Sequence, residues 1–260
     1  MPHLKLSQAD IYFEAHGNTG SWVTLVNGHM RSHKDFRAFT KQLVQAGFQV
    51  LIFDHRGVGE SRYQGSFSLN DLANDVLELW DHLEIAESYL LGISMGGVVS
   101  QIVASQVPEQ VRRLVLVSTT AHEKWIQAIS ESPWSQNVAE LEAKLKQYFA
   151  KGFVSRNQLL IQAMAKQMAK DLQESTYQNG AVDQRSAMRQ LDIRNLSRQI
   201  QAPTLILHGL EDQVILADAG QELAELIPDS HLELIPDVGH LLLAEYAKNL
   251  YRSSIDFFSN

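Results

Sequence analysis

The chain has 260 residues, 45% of them hydrophobic, which suits one large domain with a substantial core. Its 30 acidic residues outnumber its 22 lysines and arginines, and this balance argues against a nucleic-acid partner, because phosphate neutralisation needs clustered basic side chains. The absence of cysteine excludes disulfides, thiolate zinc sites and cysteine nucleophiles, and it fits a cytoplasmic location.

Short apolar runs predict the strands of a mainly parallel sheet. The first residues alternate apolar and polar side chains in LKLS and IYFEA, which predicts two antiparallel strands at a sheet edge. Six further runs are largely apolar, as strands covered on both faces are. These runs are WVTLVNG (22–28), FQVLIFD (48–54), SYLLGIS (88–94), VRRLVLVS (111–118), PTLILHG (203–209) and SHLELIP (230–236).

Helical patterns alternate with these strands. The stretch 68–83 opens with Ser68 as an N-cap and repeats apolar residues at helical spacing. Further helices are predicted over 36–46, 95–107, 217–226 and 241–257. Because strands alternate with helices, we predict the α/β fold class, with a mostly parallel, doubly wound sheet of about eight strands.

The alternation breaks once, between residues 120 and 196. This stretch shows helical patterns but no convincing strand. We therefore predict a core domain made of 1–119 and 197–260, with 120–196 inserted after the sixth strand as a helical lid. Because the insertion joins two sheet strands, we expect it to stand over their carboxyl ends, where open α/β sheets bind ligands.

No membrane span or targeting segment is predicted. No stretch approaches the roughly 18 apolar residues of a membrane span, and the N-terminus lacks a basic region followed by a long apolar core. We expect a cytoplasmic monomer or small homo-oligomer that acts on a small molecule, without a membrane or nucleic-acid partner.

The string LGISMGG joins a predicted strand to a predicted helix through a tight turn. Gly92, Ser94 and Gly96 give the spacing G-x-S-x-G, in which side chains at the glycines would collide with neighbouring backbone. In this setting Ser94 is predicted to be a nucleophile at a helix N-terminus, where the dipole favours negative charge. The alternative is a serine that merely begins the helix.

A serine nucleophile needs a base, and the base needs a carboxylate that orients it. Asp212 follows the strand at 203–209 and His240 follows the strand at 230–236, in the chain order expected after Ser94. Glu211 is the competing carboxylate, and His208 is predicted to have no catalytic role. The spacing of histidines and acidic residues suggests no metal site, and we predict no cofactor.

Five motifs together resemble the α/β-hydrolase fold family over nearly the whole chain. They are NGHM, FDHRGVGES, GISMGG, HGLEDQVI and DVGHLLLAE. The resemblance implies that Ser94 is the nucleophile and His240 the general base and then acid. It also implies that Asp212 holds the imidazole.

The oxyanion hole of such a site needs two backbone N–H groups aimed at the tetrahedral oxygen. The amide of Met95, directly after the nucleophile, is predicted to be one donor. By resemblance, the second donor is the amide of His29, in the loop after the strand 22–28. The sequence has Asn27 where the family often shows histidine.

These residues predict a serine hydrolase that cleaves a carboxylic ester or lactone of a small substrate through an acyl-enzyme intermediate. FDHRGVGES and GISMGG look most like enol-lactone hydrolases and small-ester carboxylesterases, including the pimeloyl-ACP methyl ester esterases, so a carrier-protein-bound substrate is considered as well. Two alternatives stay open: a lyase or carbon–carbon bond hydrolase that uses the same residues, and a ligand-binding receptor on the same scaffold.

The lid is expected to shape the acyl pocket. The pocket residues that we predict are Met30, Trp125, Tyr148, Phe149, Met164 and Met168. Residues 120–196 carry 10 lysines and arginines against 8 acidic residues, whereas the remainder carries 12 against 22. We therefore predict a preference for substrates with a distal negative group, with Arg156, Arg185 and Arg189 as the residues to test. The alternative is that these charges lie on solvated helix faces.

Overall fold

In residues 2–127 and 135–260, which the computed structural model describes, nine strands form one sheet. The strands are β1 (His3–Lys5), β2 (Ala9–His16), β3 (Trp22–Val26), β4 (Gln49–Phe53), β5 (Arg62–Tyr63), β6 (Ser88–Ile93), β7 (Val111–Val117), β8 (Thr204–Gly209) and β9 (Ser230–Ile235). The sheet order is β1-β2-β4-β3-β6-β7-β8-β9, with β5 paired to β2.

The sheet is parallel from β4 to β9 and antiparallel at one edge. The pairs β4–β3, β3–β6, β6–β7, β7–β8 and β8–β9 are all parallel. β2 pairs antiparallel with β1, β4 and β5. The predicted fold class is confirmed, and the carboxyl ends of the parallel strands meet along one edge of the sheet.

The ninth strand is β5, which has only two residues and therefore shows no periodic pattern. Because β5 precedes it, the strand before the predicted insertion is seventh in chain order rather than sixth.

Eleven α-helices lie within the described residues. They are α1 (Arg37–Gln45), α2 (Leu69–His82), α3 (Met95–Gln106), α4 (Val138–Leu145), α5 (Lys151–Arg156), α6 (Gln158–Asp171), α7 (Ser175–Ala187), α8 (Arg194–Ser197), α9 (Asp218–Leu226), α10 (Leu242–Glu245) and α11 (Ala247–Ser259). Ser68 caps α2 as predicted, since its hydroxyl accepts a hydrogen bond from the Asp71 amide. The helix predicted over 241–257 is divided, because Tyr246 has the non-helical angles φ −130° and ψ 18°.

Helices cover both faces of the sheet. One apolar cluster joins the strands to α2, α3 and α9, with Leu72, Val98 and Leu223 fully buried. On the opposite face, Phe39 of α1 and Phe258 of α11 lie in a second cluster with the strands. This two-sided burial explains why the central strands are almost continuously apolar.

In its described part, the chain between β7 and β8 contains helices and connecting segments but no strand of the sheet. It contains α4 to α8, two 3₁₀ turns at Glu123–Trp125 and Lys146–Tyr148, and isolated β-bridges at His122 and Ile126. α4 and α6 have their own apolar cluster, which includes Leu141, Leu145 and Ile161. In the described part of the chain, no helix is long and apolar enough to cross a membrane.

His55 lies in the loop after β4 and is buried. Its Nε2 donates a hydrogen bond to the carbonyl oxygen of Asn27, at 3.0 Å, and so joins the loops after β4 and β3. Its Nδ1 has no hydrogen-bond partner among the described residues. Burial lowers the pKa of His55 to about 4, so the folded protein holds this histidine neutral.

We expect the free energy of unfolding to decrease from pH 7 to pH 5, in part because of His55. The unfolded chain protonates this histidine near its ordinary pKa of about 6.5, whereas the folded chain excludes the proton until about pH 4. This difference in protonation lowers the free energy of unfolding by about 2 kcal/mol at pH 5. Urea denaturation at both pH values measures it. His55→Gln should reduce the pH dependence, and the control His231→Gln, at an exposed position, should not. Equal dependence in the two variants would contradict this account.

Candidate active site

Ser94 forms the turn between β6 and α3. Its φ of 54° and ψ of −121° belong to a region that residues with side chains rarely adopt. The turn is held on both sides, because the Ser94 amide donates to the carbonyl oxygen of Val117 at 2.9 Å and the Thr119 hydroxyl donates to the Ser94 carbonyl at 2.7 Å. The strained conformation therefore coincides with a serine whose side chain lines a cavity.

Glycines make this turn possible, as the sequence predicted. A Cβ atom at Gly96 would lie 2.2 Å from the carbonyl oxygen of Val26 in β3. A Cβ atom at Gly92 would lie 2.4 Å from the Gly96 carbonyl oxygen. Both distances are too short for non-bonded atoms, so α3 can start this close to β3 and β6 only because these positions lack side chains.

A chain of hydrogen bonds connects Ser94, His240 and Asp212. His240 Nε2 lies 3.0 Å from Ser94 Oγ, and His240 Nδ1 lies 2.7 Å from Asp212 Oδ2. A carboxylate only accepts hydrogen bonds, so Nδ1 donates to Asp212 and Nε2 accepts from the serine hydroxyl. The arrangement can remove the hydroxyl proton while the oxygen attacks an electrophilic carbon.

Asp212 is buried in the loop after β8 and held in one orientation. Its Oδ1 accepts hydrogen bonds from the amides of Val214, at 2.8 Å, and Ile215, at 3.0 Å. Burial acts to raise the pKa of Asp212, but the charges and hydrogen bonds of His240 and His208 outweigh burial and lower the pKa below its ordinary value. The carboxylate is therefore ionised at neutral pH.

Glu211 and His208 lie near the hydrogen bonds that connect Ser94, His240 and Asp212, and only His208 contacts them. Glu211 accepts a hydrogen bond from the Lys151 amide at 3.0 Å and so faces the start of α5. His208 is fully buried, and its Nε2 donates to the Ile215 carbonyl at 2.9 Å and lies 3.3 Å from Asp212 Oδ2. The sequence predicted no catalytic role for His208, and the structure adds that it contributes to the environment of Asp212.

His29 and Met95, whose amides were predicted to form the oxyanion hole, line the same cavity as Ser94. Met95 is the first residue of α3, and first-turn amides have no partner within their helix. In the loop after β3, Asn27 Oδ1 accepts from the Gly28 amide and Gln184 Oε1 accepts from the Met30 amide, both at 2.9 Å. Within the described part of the chain, the amide of His29 between them has no protein acceptor.

A cavity of about 340 Å³ with mainly apolar walls opens at Ser94. Met30, Tyr148, Met164 and Met168, four of the six predicted pocket residues, line it together with both His29 and Met95. Its other lining residues include Leu145, Leu160, Met188, Val214 and Ile215. The cavity thus combines a polar reacting corner with an apolar interior.

Trp125 and Phe149 were predicted to line or support the pocket, and neither is part of the cavity wall itself. Trp125 packs with Val214 and Ile215, and its indole N–H donates to Glu222 at 2.9 Å. Phe149 stacks on Phe153, with ring centroids 5.0 Å apart, inside the apolar cluster of α4 and α6. Both rings thus pack behind the wall, since Val214 and Ile215 contact Trp125, and Phe149 shares a cluster with the lining residue Met168.

Among the described residues, three cationic side chains line the cavity: Lys144 of α4, Arg185 of α7, and Arg31, which forms a salt bridge with Asp35 in the same wall. Burial lowers the pKa of Lys144, and the positive charge of Arg185 lowers it further. Arg156 and Arg189 are exposed and do not belong to the wall. Lys144 was missed because a lysine in an amphipathic helix is normally read as part of a solvated face.

Metal binding finds no support in the described residues, since no three histidine, cysteine or acidic side chains there are arranged to hold an ion.

Comparison with known proteins finds similarity to hydrolases in both sequence and structure. A family model described as "Serine aminopeptidase, S33" matches residues 17–247. The chain is 28% identical over 197 residues to 3-oxoadipate enol-lactonase 2 of Acinetobacter baylyi, covering 74% of this chain and 72% of the relative. It is 26% identical to a putative carbamate hydrolase of Variovorax paradoxus, covering 96% of each chain. The crystal structure of an enol-lactonase from Burkholderia xenovorans superposes with a TM-score of 0.85 at 24% identity, over 100% of both chains.

The close approach at Gly96 can be tested by Gly96→Ala. We expect the free energy of unfolding to fall by at least about 2 kcal/mol, because the new methyl group meets backbone oxygens that cannot move independently. Gly152→Ala in α5 is the matched control. There the Cβ atom would lie 3.4 Å from the flexible Arg156 side chain, and alanine should stabilise the helix by up to about 1 kcal/mol. Similar urea midpoints for the two variants would show that the turn tolerates a side chain.

Proposed function

We propose that this chain, which belongs to the α/β-hydrolase family described as serine aminopeptidase S33, is a serine hydrolase that cleaves a carboxylic ester or lactone of a small substrate. The observation that carries the proposal is the continuous hydrogen-bond chain from Asp212 through His240 to Ser94 at the wall of an apolar cavity. A receptor needs the cavity but has no use for a serine aligned with a histidine base.

The geometry suits the following sequence of steps. Ser94 Oγ attacks the carbonyl carbon while its proton passes to His240 Nε2, and Asp212 stabilises the resulting imidazolium. The tetrahedral oxygen accepts hydrogen bonds from the amides of His29 and Met95. When the intermediate collapses, His240 donates the proton to the leaving alkoxide and an acyl-enzyme remains. Water then attacks the acyl group with the same base, which releases the acid and restores the serine.

We assign residues 120–196 the role of a lid that encloses this reaction. Within 120–196, residues from both described parts, 120–127 and 135–196, contribute to the cavity wall, among them Ile126, Tyr148 and Met168. The carbonyl oxygen of Tyr148 accepts hydrogen bonds from the amides of His240 and Leu241, at 2.8 and 3.2 Å. The lid is therefore bonded to the loop that carries the histidine base, and it limits the access of water to the reacting corner.

Within this function we propose that preferred substrates carry a carboxylate distant from the scissile bond. The support is the position of Lys144 and Arg185 in the wall of the same cavity as Ser94. Arg185 lowers the pKa of Lys144, so their like charges repel, and an anionic ligand group between them would relieve this repulsion. Both side chains also interact within the protein. The sequence based this preference on the net positive charge of residues 120–196. In the structure, Lys144 and Arg185 are the two cationic residues in the described part of this stretch that line the cavity.

The hydrolase proposal is tested with short p-nitrophenyl esters, enol lactones and carbon–carbon bonded diketones, with product identification. For the ester or lactone that the wild type cleaves, Ser94→Ala should lower kcat/KM by about 10⁵-fold or more, because nothing else can form the acyl bond. Asp212→Asn should cost about 10⁴-fold, while Glu211→Gln should change the rate only a few-fold. Wild-type-like turnover by Ser94→Ala, or the reverse ranking of the two acidic residues, would refute the assignment.

The substrate preference is tested with two p-nitrophenyl esters of equal length, one with a terminal carboxylate and one with a methyl group. We expect kcat/KM to be about 10-fold higher for the charged ester at low salt, equivalent to ~1.4 kcal/mol. Added salt and the variants Lys144→Gln and Arg185→Gln should reduce the preference. Arg189→Gln, at an exposed position outside the cavity wall, is the control. If the wild type cleaves the neutral ester equally well, the carboxylate proposal fails and the catalytic assignment stands.

A further inference from the structure

One face of α7 contacts the loop that follows β3. We define residues 27–31 as the oxyanion loop. Tyr177, Ala181 and Gln184 recur at i, i+4 and i+7, so they lie on one side of the helix. The Tyr177 hydroxyl donates to the Met30 carbonyl oxygen, and His29 Nε2 lies 2.8 Å from the Ala181 carbonyl oxygen. Consecutive residues of the oxyanion loop are thus bonded to consecutive turns of α7.

Gln184 is the centre of this contact. It is completely buried, and its two amide atoms bind different loops. Oε1 accepts from the Met30 amide at 2.9 Å, and Nε2 donates to the Arg56 carbonyl oxygen at 3.1 Å. One side chain therefore links α7 to the loops after β3 and β4 and satisfies two buried backbone groups, each of which would otherwise cost about 1–3 kcal/mol.

Met30 shows that the oxyanion loop is constrained rather than relaxed. Its φ of 61° is uncommon for a residue with a long side chain. Such a conformation persists when its surroundings determine it from several directions. Gln184 holds the Met30 amide and Tyr177 holds the Met30 carbonyl, so α7 fixes both peptide groups of this residue.

The backbone of α7 also lies directly on the core. A Cβ atom at Gly180 would lie 2.2 Å from the Gly57 carbonyl oxygen, which excludes any side chain between the helix and the loop after β4. Beside this contact, the Tyr63 hydroxyl donates to Asp183 at 2.5 Å. The helix is therefore fixed on the same side from which Gln184 reaches the oxyanion loop.

From these contacts we infer that α7 belongs to the catalytic apparatus and that Gln184 is a positioning residue for the oxyanion hole. Gln184 accepts from the Met30 amide and so holds the His29–Met30 peptide, which is joined through the His29 Cα to the peptide that carries the His29 amide. An oxyanion donor acts mainly in the transition state, so a loss of orientation lowers kcat more than it raises KM. The inference rests on the proposed hydrolase function.

The experiment compares two variants of α7 that remove a glutamine amide of the same size. Gln184→Met removes both bonds to the core loops. Gln178→Met is the control, because Gln178 Nε2 donates to the Leu172 carbonyl oxygen at 2.5 Å and so bonds within the lid. We expect Gln184→Met to lower kcat by about 10- to 100-fold, since complete loss of an oxyanion donor costs about 100- to 1,000-fold. KM should stay within about threefold of the control, because ground-state binding is little affected.

Gln184→Glu is the second variant. It keeps an acceptor for the Met30 amide and loses the donor to Arg56, so its kcat should lie between those of the wild type and Gln184→Met. Hydrogen exchange, followed on peptides that cover residues 27–31, adds a readout independent of turnover. The Met30 amide should exchange faster in Gln184→Met than in Gln178→Met, because it has lost its acceptor.

Two results would overturn the inference: a kcat for Gln184→Met within about threefold of the Gln178→Met value, or a rise in KM with kcat unchanged. Equal exchange of the 27–31 peptides in the two variants would also overturn it. If the wild type hydrolyses none of the test substrates, the hydrolase proposal fails, whereas the exchange measurement still decides whether Gln184 holds the oxyanion loop.

Discussion

The turn at Ser94 is the constraint on which the rest of the site depends. Its positive φ costs about 1–3 kcal/mol, and the structure offsets this through hydrogen bonds from Thr119 and to Val117. The turn also requires bare backbone at Gly96, where α3 meets β3. In return, one residue directs a hydroxyl into the cavity and places the next amide at a helix N-terminus. Neighbouring parallel strands end at the same edge, so their loops can deliver Asp212 and His240 to this point.

Most of the fold could be predicted because each element carries its own periodic signal. Strands covered on both faces are continuously apolar, and helices repeat apolar residues at 3.6-residue spacing, so β3, β6 and α2 are visible in isolation. β5 is too short to show a period, and it exists only because β2 offers it an edge. Beside the interruption at Tyr246, the Glu245 carboxylate accepts hydrogen bonds from the amides of Gly239 and Ala150. Contacts distant in sequence decide such details.

At the site, the residues that could be predicted were those that occur in a sequence motif at the end of a strand. Ser94, Asp212 and His240 each follow a strand end within a motif, so local sequence indicated them. Gln184 and Lys144 lie in helices without any motif, and their importance comes from what the fold brings opposite them. Apolar periodicity likewise predicted that helices in the 120–196 stretch bury one side, without showing which buried ring faces the cavity and which packs elsewhere.

The hydrogen bonds that tie α7 to the core have a consequence for how substrate range can diverge in this scaffold. The stretch between β7 and β8 looks like an exchangeable module, but it carries the hydrogen-bond partners of the Met30 amide, the Arg56 carbonyl oxygen and the His240 amide. Exchange of the whole insertion between relatives would leave those backbone groups without partners. α4 and α6, by contrast, bury their apolar residues largely against each other while still facing the cavity. Sequence change that reshapes the cavity wall is therefore least constrained in α4 and α6, whereas α7 must vary together with the core.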